Sequence, residues 1–242
     1  KRRFLKLVDG MNERIRNYPG HKSWIDLGMM SNWDHYAGEA LEFNNWTELL
    51  PLDKATELYG PDIYRKVKKF RVACPSCPVA HREILELREG EFAGLVLHTG
   101  SFMDITLTGV KFHCDYLQAT KIHDLLDRSG LCVLTFWHLI DFVIDLYQQG
   151  KITEKDTGGI TLKRDFETAV MLIDKVTRRE GFGDILAGGW TEVLKRFNNE
   201  DQAMVIKDAE VILDPRVSGF GTHEFSYITC PRGPQSATGS SP

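Results

Sequence analysis

The clearest pattern in the sequence is Phe136-Trp137-His138-Leu139-Ile140-Asp141-Phe142-Val143-Ile144-Asp145-Leu146-Tyr147. Its bulky apolar side chains recur at i, i+1, i+4, i+7, i+8 and i+11, which places them on one face of an α-helix. Gly150 follows and can end the helix. The stretch therefore predicts a long amphipathic helix, and with it a mainly α-helical domain.

Two similar patterns lie on either side of this helix. Apolar residues from Cys114 to Leu126 occupy one side of a helix that Gly130 can end in the left-handed conformation. Apolar residues from Phe166 to Val176 mark another helix of the same kind. Together the three segments predict that the fold class is mainly α.

The remaining sequence has weaker patterns. Asp53 can cap a short helix, and Pro61 can start a second helix that carries the basic run at 65–71. Alternation at 92–97 predicts a strand, while the first 50 residues have no clean period and are expected to be mostly loop. Beyond about residue 206 turn-forming residues dominate. We therefore expect a helical domain at 1–206 and the beginning of a truncated C-terminal domain at 207–242.

Composition narrows the functional class. The chain has 242 residues, 42% of them hydrophobic, and a net charge of −4, which gives no indication of nucleic-acid binding. No apolar run reaches the roughly 18 residues of a membrane span. The five cysteines have no disulfide-framework spacing, which predicts a reducing, cytoplasmic location. The basic run at 65–71 is either a solvated surface or a docking site for an acidic electron carrier.

A loop of sequence Cys-Pro-Ser-Cys-Pro-Val-Ala-His, residues 74–81, resembles half of a metal site. Two thiols with two residues between them can turn toward one ion or cluster, and His81 can supply a third ligand. Zinc and an iron–sulfur cluster both suit Cys74 and Cys77. A zinc module needs a second ligand pair nearby, whereas a cluster tolerates a distant fourth ligand. In a simpler interpretation the cysteines are small buried hydrophobic residues.

Five short motifs in one order resemble the aldehyde ferredoxin oxidoreductase family of tungsten enzymes. The segment Asp-Arg-Ser-Gly-Leu-Cys at 127–132 is similar to its pterin-binding motif, and the loop at 74–79 is similar to its cluster loop. The stretch at 179–187, Asp-Pro-Arg at 214–216 and Pro-Arg-Gly at 231–233 resemble later elements. The chain is thus identified as a central fragment, chiefly the helical second domain of that fold and the start of its third.

This resemblance implies a tungsten or molybdenum held by two pterins, and a 4Fe-4S cluster that passes electrons to ferredoxin or to an iron–sulfur subunit. An aspartate in the pterin motif can accept a pair of hydrogen bonds from the pterin edge. The implied residues are Asp127, Gly130, Leu131 and Cys132 for the pterin, Arg216 and Arg232 for its phosphates, and Cys74, Cys77 and His81 for the cluster.

Several positions depart from the family pattern. His81 stands where the family has a third cluster cysteine, so either histidine binds the cluster, as in Rieske centres, or the cluster is lost. The glutamate expected in the turn at 99–102 and the histidine expected at 234–236 are absent. His98 lies beside the first position and is a candidate for proton transfer.

Three functions remain open at the level of the sequence. The first is a fragment of a tungsten pterin oxidoreductase that acts on an aldehyde. The second is a catalytic subunit similar to the benzoyl-CoA reductases of the same family, which reduce an aromatic acyl-CoA; the missing glutamate and histidine favour it. The third is a non-catalytic helical module with a zinc or cluster site.

Overall fold

The computed structural model describes residues 2–39, 41–212, 214, 216, 219, 221–231, 233 and 234. Helices dominate them, which confirms the mainly α fold class, and three small antiparallel sheets complete the fold. In chain order the elements are α1 (Arg2–Arg16), α2 (His21–Leu27), a 3-10 helix (Gly28–Asn32), α3 (Trp33–Glu39), β1 (Glu42–Phe43), β2 (Glu48–Leu49), α4 (Leu52–Tyr59), α5 (Pro61–Val67), β3 (Lys68–Val72), β4 (Arg82–Glu86), β5 (Val96–Thr99), α6 (Phe102–Phe112), α7 (Tyr116–Ser129), α8 (Val133–Gln148), α9 (Glu154–Thr157), α10 (Phe166–Arg178), α11 (Phe182–Ala187), α12 (Gly189–Phe197), a 3-10 helix (Glu200–Gln202), β6 (Val205–Ile206), β7 (Ala209–Glu210) and α13 (Thr222–Thr229).

The core forms around α8, the helix that the sequence marks most clearly. Its side chains from Phe136 to Ile144 are all buried, and α6, α7 and α12 pack against it. Predicted helices at α7 and α10 are confirmed as well, and α7 ends where Gly130 adopts a φ of 66°. The periodic segments were recognisable because a buried helical face needs apolar residues at regular spacing.

Polar side chains in the core form one ionic network. Asp141 on α8 accepts hydrogen bonds from Lys111 Nζ at 3.1 Å and from Arg164 Nε at 3.0 Å, and all three side chains are nearly inaccessible to solvent. The backbone N–H of Asn45 also donates to Asp141, at 3.0 Å. Because buried charges are costly without partners, this network ties α6, α8 and the β1–β2 turn together.

Several expectations for the weaker segments are wrong. The first 50 residues are mainly helical, because α1 is an amphipathic helix whose apolar face lies at the surface and so adds no core pattern. The basic run is divided between α5 and β3, and the predicted strand starts at Val96 rather than at 92. Pro51, not Asp53, stands at the N-cap of α4. Pairing of β3 with β4 explains the division of the basic run, because such pairing is not visible in the local sequence.

The region after residue 206 has its own small apolar cluster. Val211 and Tyr227 pack on Trp46, away from the main core. Its hairpin β6–β7 is joined to the helices by Glu210, which accepts hydrogen bonds from Thr135 Oγ1 at 3.1 Å and Trp190 Nε1 at 3.1 Å. The division at 206 stays a prediction.

The described helices include none that is long and apolar enough to cross a membrane alone. The pair α7 and α8 meets that requirement of length and composition only jointly, with a bend of 115° between them.

Candidate functional site

The cysteine loop connects β3 to β4 through a tight turn. The backbone N–H of Cys77 donates to the carbonyl of Cys74 at 3.0 Å, and both side chains are half-buried. Ser76 and Ala80 have φ values of 63° and 52°, in the left-handed region that non-glycine residues rarely adopt. The chain therefore folds sharply here, and a hydrogen bond joins the backbones of Cys74 and Cys77.

Two of the candidate ligands border one cavity. Cys77 and His81 line a space of about 520 Å³ whose other wall comes from the end of α1 and from α2. The ring of His81 meets the ring of Trp24 edge-on, with 5.9 Å between centroids. Burial, with a smaller contribution from Arg82, lowers the pKa of His81 below its usual value, so the imidazole is held in the neutral form that binds metals.

The described residues do not complete a metal site. Within 2–39, 41–212 and the described positions beyond, no three His, Cys, Asp or Glu side chains converge as metal ligands. The donors present are two neighbouring thiols and a neutral imidazole. They fit part of a cluster site, and the remaining ligation has to come from elsewhere.

The proposed pterin motif forms the corner between α7 and α8. The N–H of Gly130 donates to the carbonyl of Asp127 at 3.1 Å, and the N–H of Leu131 to that of Leu126 at 3.0 Å. A Cβ atom added at Gly130 would meet nothing within 4 Å, so glycine is explained here by its φ of 66° and not by close packing. Leu131 is half-buried against the core, and Cys132 is exposed.

The carboxylate of Asp127 is available at this corner. Its side chain is 53% exposed, and its Oδ2 lies 3.6 Å from Nε2 of His123, which is 4% exposed. The Nδ1 atom of His123 has no hydrogen-bond partner among the described residues. Asp127 can therefore accept hydrogen bonds from outside, with His123 beside it on the same helix.

Two further carboxyl groups lie near this corner, and the sequence interpretation missed both. Glu83 on β4 is fully buried; its Oε1 accepts from the N–H of Phe102 at 3.2 Å, and its Oε2 has no partner in the described structure. Burial raises the pKa of Glu83 to about 8, against the opposing effect of that hydrogen bond. Burial and then the charge of Asp127 raise the pKa of Asp104 to about 7, while Arg82 opposes the rise.

Glu83 could have been found from the two-residue period of buried side chains along a β-strand. Its neighbours Leu85 and Leu87 are buried on the same side, so the alternation from 83 to 87 marks an inward face with a carboxylate in it. His98, the candidate that the sequence suggested, lies on the other face of β5. It is exposed and pairs with Ile84, whereas Thr99 is buried on the side of Glu83.

Of the two arginine candidates, the structure describes Arg216. Arg216 is bound to Asp214 by several hydrogen bonds, including Nε to Oδ2 at 2.8 Å, and its guanidinium also donates to the carbonyl of Trp46 at 2.9 Å. Asp214 is buried. Arg232 lies outside the described residues.

One family model and several known proteins are similar to this chain. Residues 6–241 match the family model described as aldehyde ferredoxin oxidoreductase, domains 2 and 3. A tungsten-containing aldehyde ferredoxin oxidoreductase of Pyrococcus abyssi is 32% identical over 124 residues, which are 49% of this chain and 20% of the relative. The WOR-like subunit of an aliphatic sulfonate oxidoreductase of Pyrococcus furiosus is 25% identical over 146 residues, 60% of this chain and 23% of the relative. The matches thus span about a fifth of the length of these relatives.

A solved structure has the same fold. The active-site complex BamBC of benzoyl coenzyme A reductase, in complex with 1,5-dienoyl-CoA, superposes with a TM-score of 0.62 over 81% of this chain and 30% of that chain, at 18% identity. This likeness concerns the fold alone. The family model, in contrast, covers nearly the whole sequence, and the chain therefore belongs to the aldehyde ferredoxin oxidoreductase family, as its domains 2 and 3.

Proposed function

We propose that this chain is the pterin-binding and cluster-binding part of a tungsten oxidoreductase. The observation that carries the proposal is the position of Asp127: a half-exposed carboxylate at the α7–α8 corner, backed by the buried His123 and placed within the motif that resembles the family's pterin site. When bound, the metal pterin supplies two-electron oxidation and reduction, and the cluster passes electrons singly to ferredoxin or to an iron–sulfur subunit.

Each proposed site residue of the chain has a separate role. Asp127 accepts hydrogen bonds from the pterin edge, and Gly130 gives the corner its left-handed turn. In this proposal Leu131 and Cys132 line the pterin beside them, and the phosphates are assigned to Arg232 and to Arg216, whose guanidinium is paired with Asp214 in the structure. Cys74, Cys77 and His81 hold the cluster, with neutral His81 as the third ligand. His98, exposed on β5, is the proposed residue for proton transfer. Such an enzyme works in a reducing compartment, the cytoplasm, where its five unpaired cysteines stay reduced.

A reductase of aromatic acyl-CoA is the second candidate. The turn at 99–102 contains no glutamate, and a buried glutamate from the neighbouring strand, Glu83, contacts it instead. The glutamate expected in the aldehyde-oxidising members of the family is therefore absent from the turn at 99–102. The fold neighbour is a benzoyl coenzyme A reductase complex with a dienoyl-CoA, which supports the same branch.

The proposal is tested by metal analysis of the full-length protein purified without oxygen. Tungsten together with about four irons is expected. Asp127→Ala should lose tungsten and keep iron, and Cys77→Ala should lose iron; the exposed Asp174→Ala is the matched control and should keep both. Zinc as the only metal found would contradict an oxidoreductase and would support a non-catalytic binding module. Assays with an aldehyde and with an aromatic acyl-CoA then separate the two enzymatic candidates.

A further inference from the structure

The sheet β3–β4–β5 has one packed face and one open face. Glu83, Leu85 and Thr99 point inward and are buried. On the outer side Phe70 pairs with Ile84, and Ile84 pairs with His98, so the three form one row across the strands. Phe70 is 54% exposed, and Val96 in the next row is 42% exposed. Nothing in the described part of the chain covers this apolar row.

Cations surround the row. Arg65, Lys66, Lys69 and Arg88 are exposed at the end of α5 and along the sheet. Three carboxylates partly balance them: Asp62 pairs with Arg65 at 2.8 Å, Glu86 pairs with Lys69 at 2.9 Å and with Arg88 at 3.4 Å, and the exposed Glu89 borders the same groove as Lys66 and Arg88. Lys66 has no carboxylate within ion-pair distance among the described residues. The surface therefore carries surplus positive charge, although the chain as a whole has a net charge of −4.

A small groove opens beside these cations. It has a volume of about 270 Å³ and is bordered by Lys66 and Arg88, with Tyr116 and Leu117 on the other side. Glu89 also lies at the groove, where its Oε1 accepts a hydrogen bond from Tyr116 Oη at 3.1 Å. A side chain of a partner can enter this groove, and the lysine and arginine at its border favour a carboxylate.

The position of this surface suggests its partner. Strand β3 ends at Val72, two residues before Cys74, so the end of the sheet near Phe70 adjoins the loop proposed to hold the cluster, and Lys66 and Arg88 lie toward the opposite end. Electron transfer between proteins requires that donor and acceptor come close. Interfaces between redox proteins are small and short-lived, so an apolar row with a charged border is sufficient for one.

We propose that this basic face, namely Phe70, Ile84 and Val96 with Arg65, Lys66, Lys69 and Arg88, is the docking surface for an acidic electron-carrier protein. The inference rests on the proposed function, because the carrier would exchange electrons with the cluster at residues 74–81. In the oxidative direction each encounter removes one electron from the cluster and reduces the carrier by one electron, with no bond made or broken.

The test measures association of the full-length protein with an acidic two-cluster ferredoxin as the probe. The variant Lys66→Glu/Lys69→Glu reverses charge on the basic face. Its control, Lys155→Glu/Lys195→Glu, makes the same change at exposed lysines on α9 and α12. At about 0.01 M salt the first variant should associate at least about tenfold more slowly than the unchanged protein, and the control should not. At about 1 M salt the difference should vanish.

A second variant tests the apolar part of the surface. Phe70→Ala should raise the dissociation rate several-fold and leave the salt dependence of association unchanged, because rim charges govern encounter and central apolar contacts govern residence.

Three results would overturn the inference. If both charge variants associate equally slowly, the effect is due to net charge. If neither variant associates more slowly, the lysines serve only to protect an edge strand from pairing. Binding to vesicles of anionic lipid, with no binding to ferredoxin, would make the surface a membrane contact. Iron analysis of the same samples tests the proposed function separately, because a protein without iron contradicts it. The association and dissociation rates test the docking surface whether or not iron is present.

Discussion

The Oε1 atom of Glu83 accepts a hydrogen bond of 3.2 Å from the backbone N–H of Phe102, a residue 19 positions away in the sequence. Phe102 begins α6, directly after the turn in which the resembling family has a glutamate. A carboxyl group of the neighbouring strand thus contacts this turn, whose own residues 99–102 include none. Its second oxygen, Oε2, has no partner in the described structure, and the side chain is fully buried.

Replacing Glu83 should separate the loss of the hydrogen bond from the loss of the carboxylate. Glu83→Ala leaves the N–H of Phe102 buried without an acceptor, and should lower the free energy of unfolding by about 1–3 kcal/mol. Glu83→Gln keeps an oxygen acceptor of the same size, and should cost clearly less. Urea denaturation of both variants at one pH measures the difference. Equal destabilisation by the two substitutions would show that the hydrogen bond to Phe102 is not what Glu83 contributes.

The stability of the fold should depend more on the buried ionic network around Asp141 than on any other polar group in the core. Asp141→Ala leaves Lys111 and Arg164 buried without a counter-ion, and should lower the free energy of unfolding by about 3–5 kcal/mol. Asp174→Ala removes an exposed ion pair with Arg178 on α10, and should cost less than about 1 kcal/mol. Denaturant titration of both variants provides the comparison. Similar losses in the two would contradict the assignment of this network to the core.

Two glycine substitutions should have opposite effects. Gly28 has a φ of 56°, and an added Cβ would lie 2.9 Å from the carbonyl oxygen of His81. Gly28→Ala should therefore destabilise the protein by about 1–3 kcal/mol and displace the cysteine loop. Gly10 lies inside α1 with open space around it, so Gly10→Ala should stabilise that helix by about 0.5–1 kcal/mol.

Thermal unfolding measures both glycine effects, and the fluorescence of Trp24, which contacts His81, reports the displacement. A stable Gly28→Ala protein with unchanged tryptophan emission would show that the loop does not pack on Gly28.

The pH dependence of stability should include a contribution from Glu42. This carboxyl is 3% exposed, and burial raises its pKa from 4.5 to about 7, with Lys111 opposing the rise. The folded state therefore retains the proton after the unfolded chain has lost it. The free energy of unfolding should fall as the pH rises from about 4.5 to 7, and then level off.

Glu42→Gln should reduce this slope, while the exposed Glu57→Gln should leave it unchanged. Urea denaturation at several pH values between 4.5 and 8 tests the prediction. Parallel curves for Glu42→Gln and the unchanged protein would mean that Glu42 ionises normally in the fold.

Periodic segments were predictable from sequence because their stabilisation is local in pattern. The apolar face of α8, the glycine that ends α7 and the face of α10 each follow from the repeat of the helix. The family motifs were recognisable for a related reason, since each is a short run whose residues act together. They led to Asp127 and to the cysteine loop without any knowledge of how the two segments pack.

Elsewhere the sequence was insufficient. α1 was missed because its apolar residues lie at the surface, and the run at 65–71 was assigned to one helix because strand pairing with β4 is invisible locally. His98 was chosen for its nearness in sequence to the turn, yet pairing with Ile84 directs it to the open face.

What the sequence by itself determined is therefore the helical class, the family and the residues of its motifs, all of which depend on neighbours within a few positions along the chain. The tertiary structure alone decided which distant groups meet: Glu83 with Phe102, Lys111 and Arg164 with Asp141, and His81 with Trp24. Those contacts depend on strand register and helix packing, which arise when distant segments bury their apolar faces together and the polar groups between them must find partners.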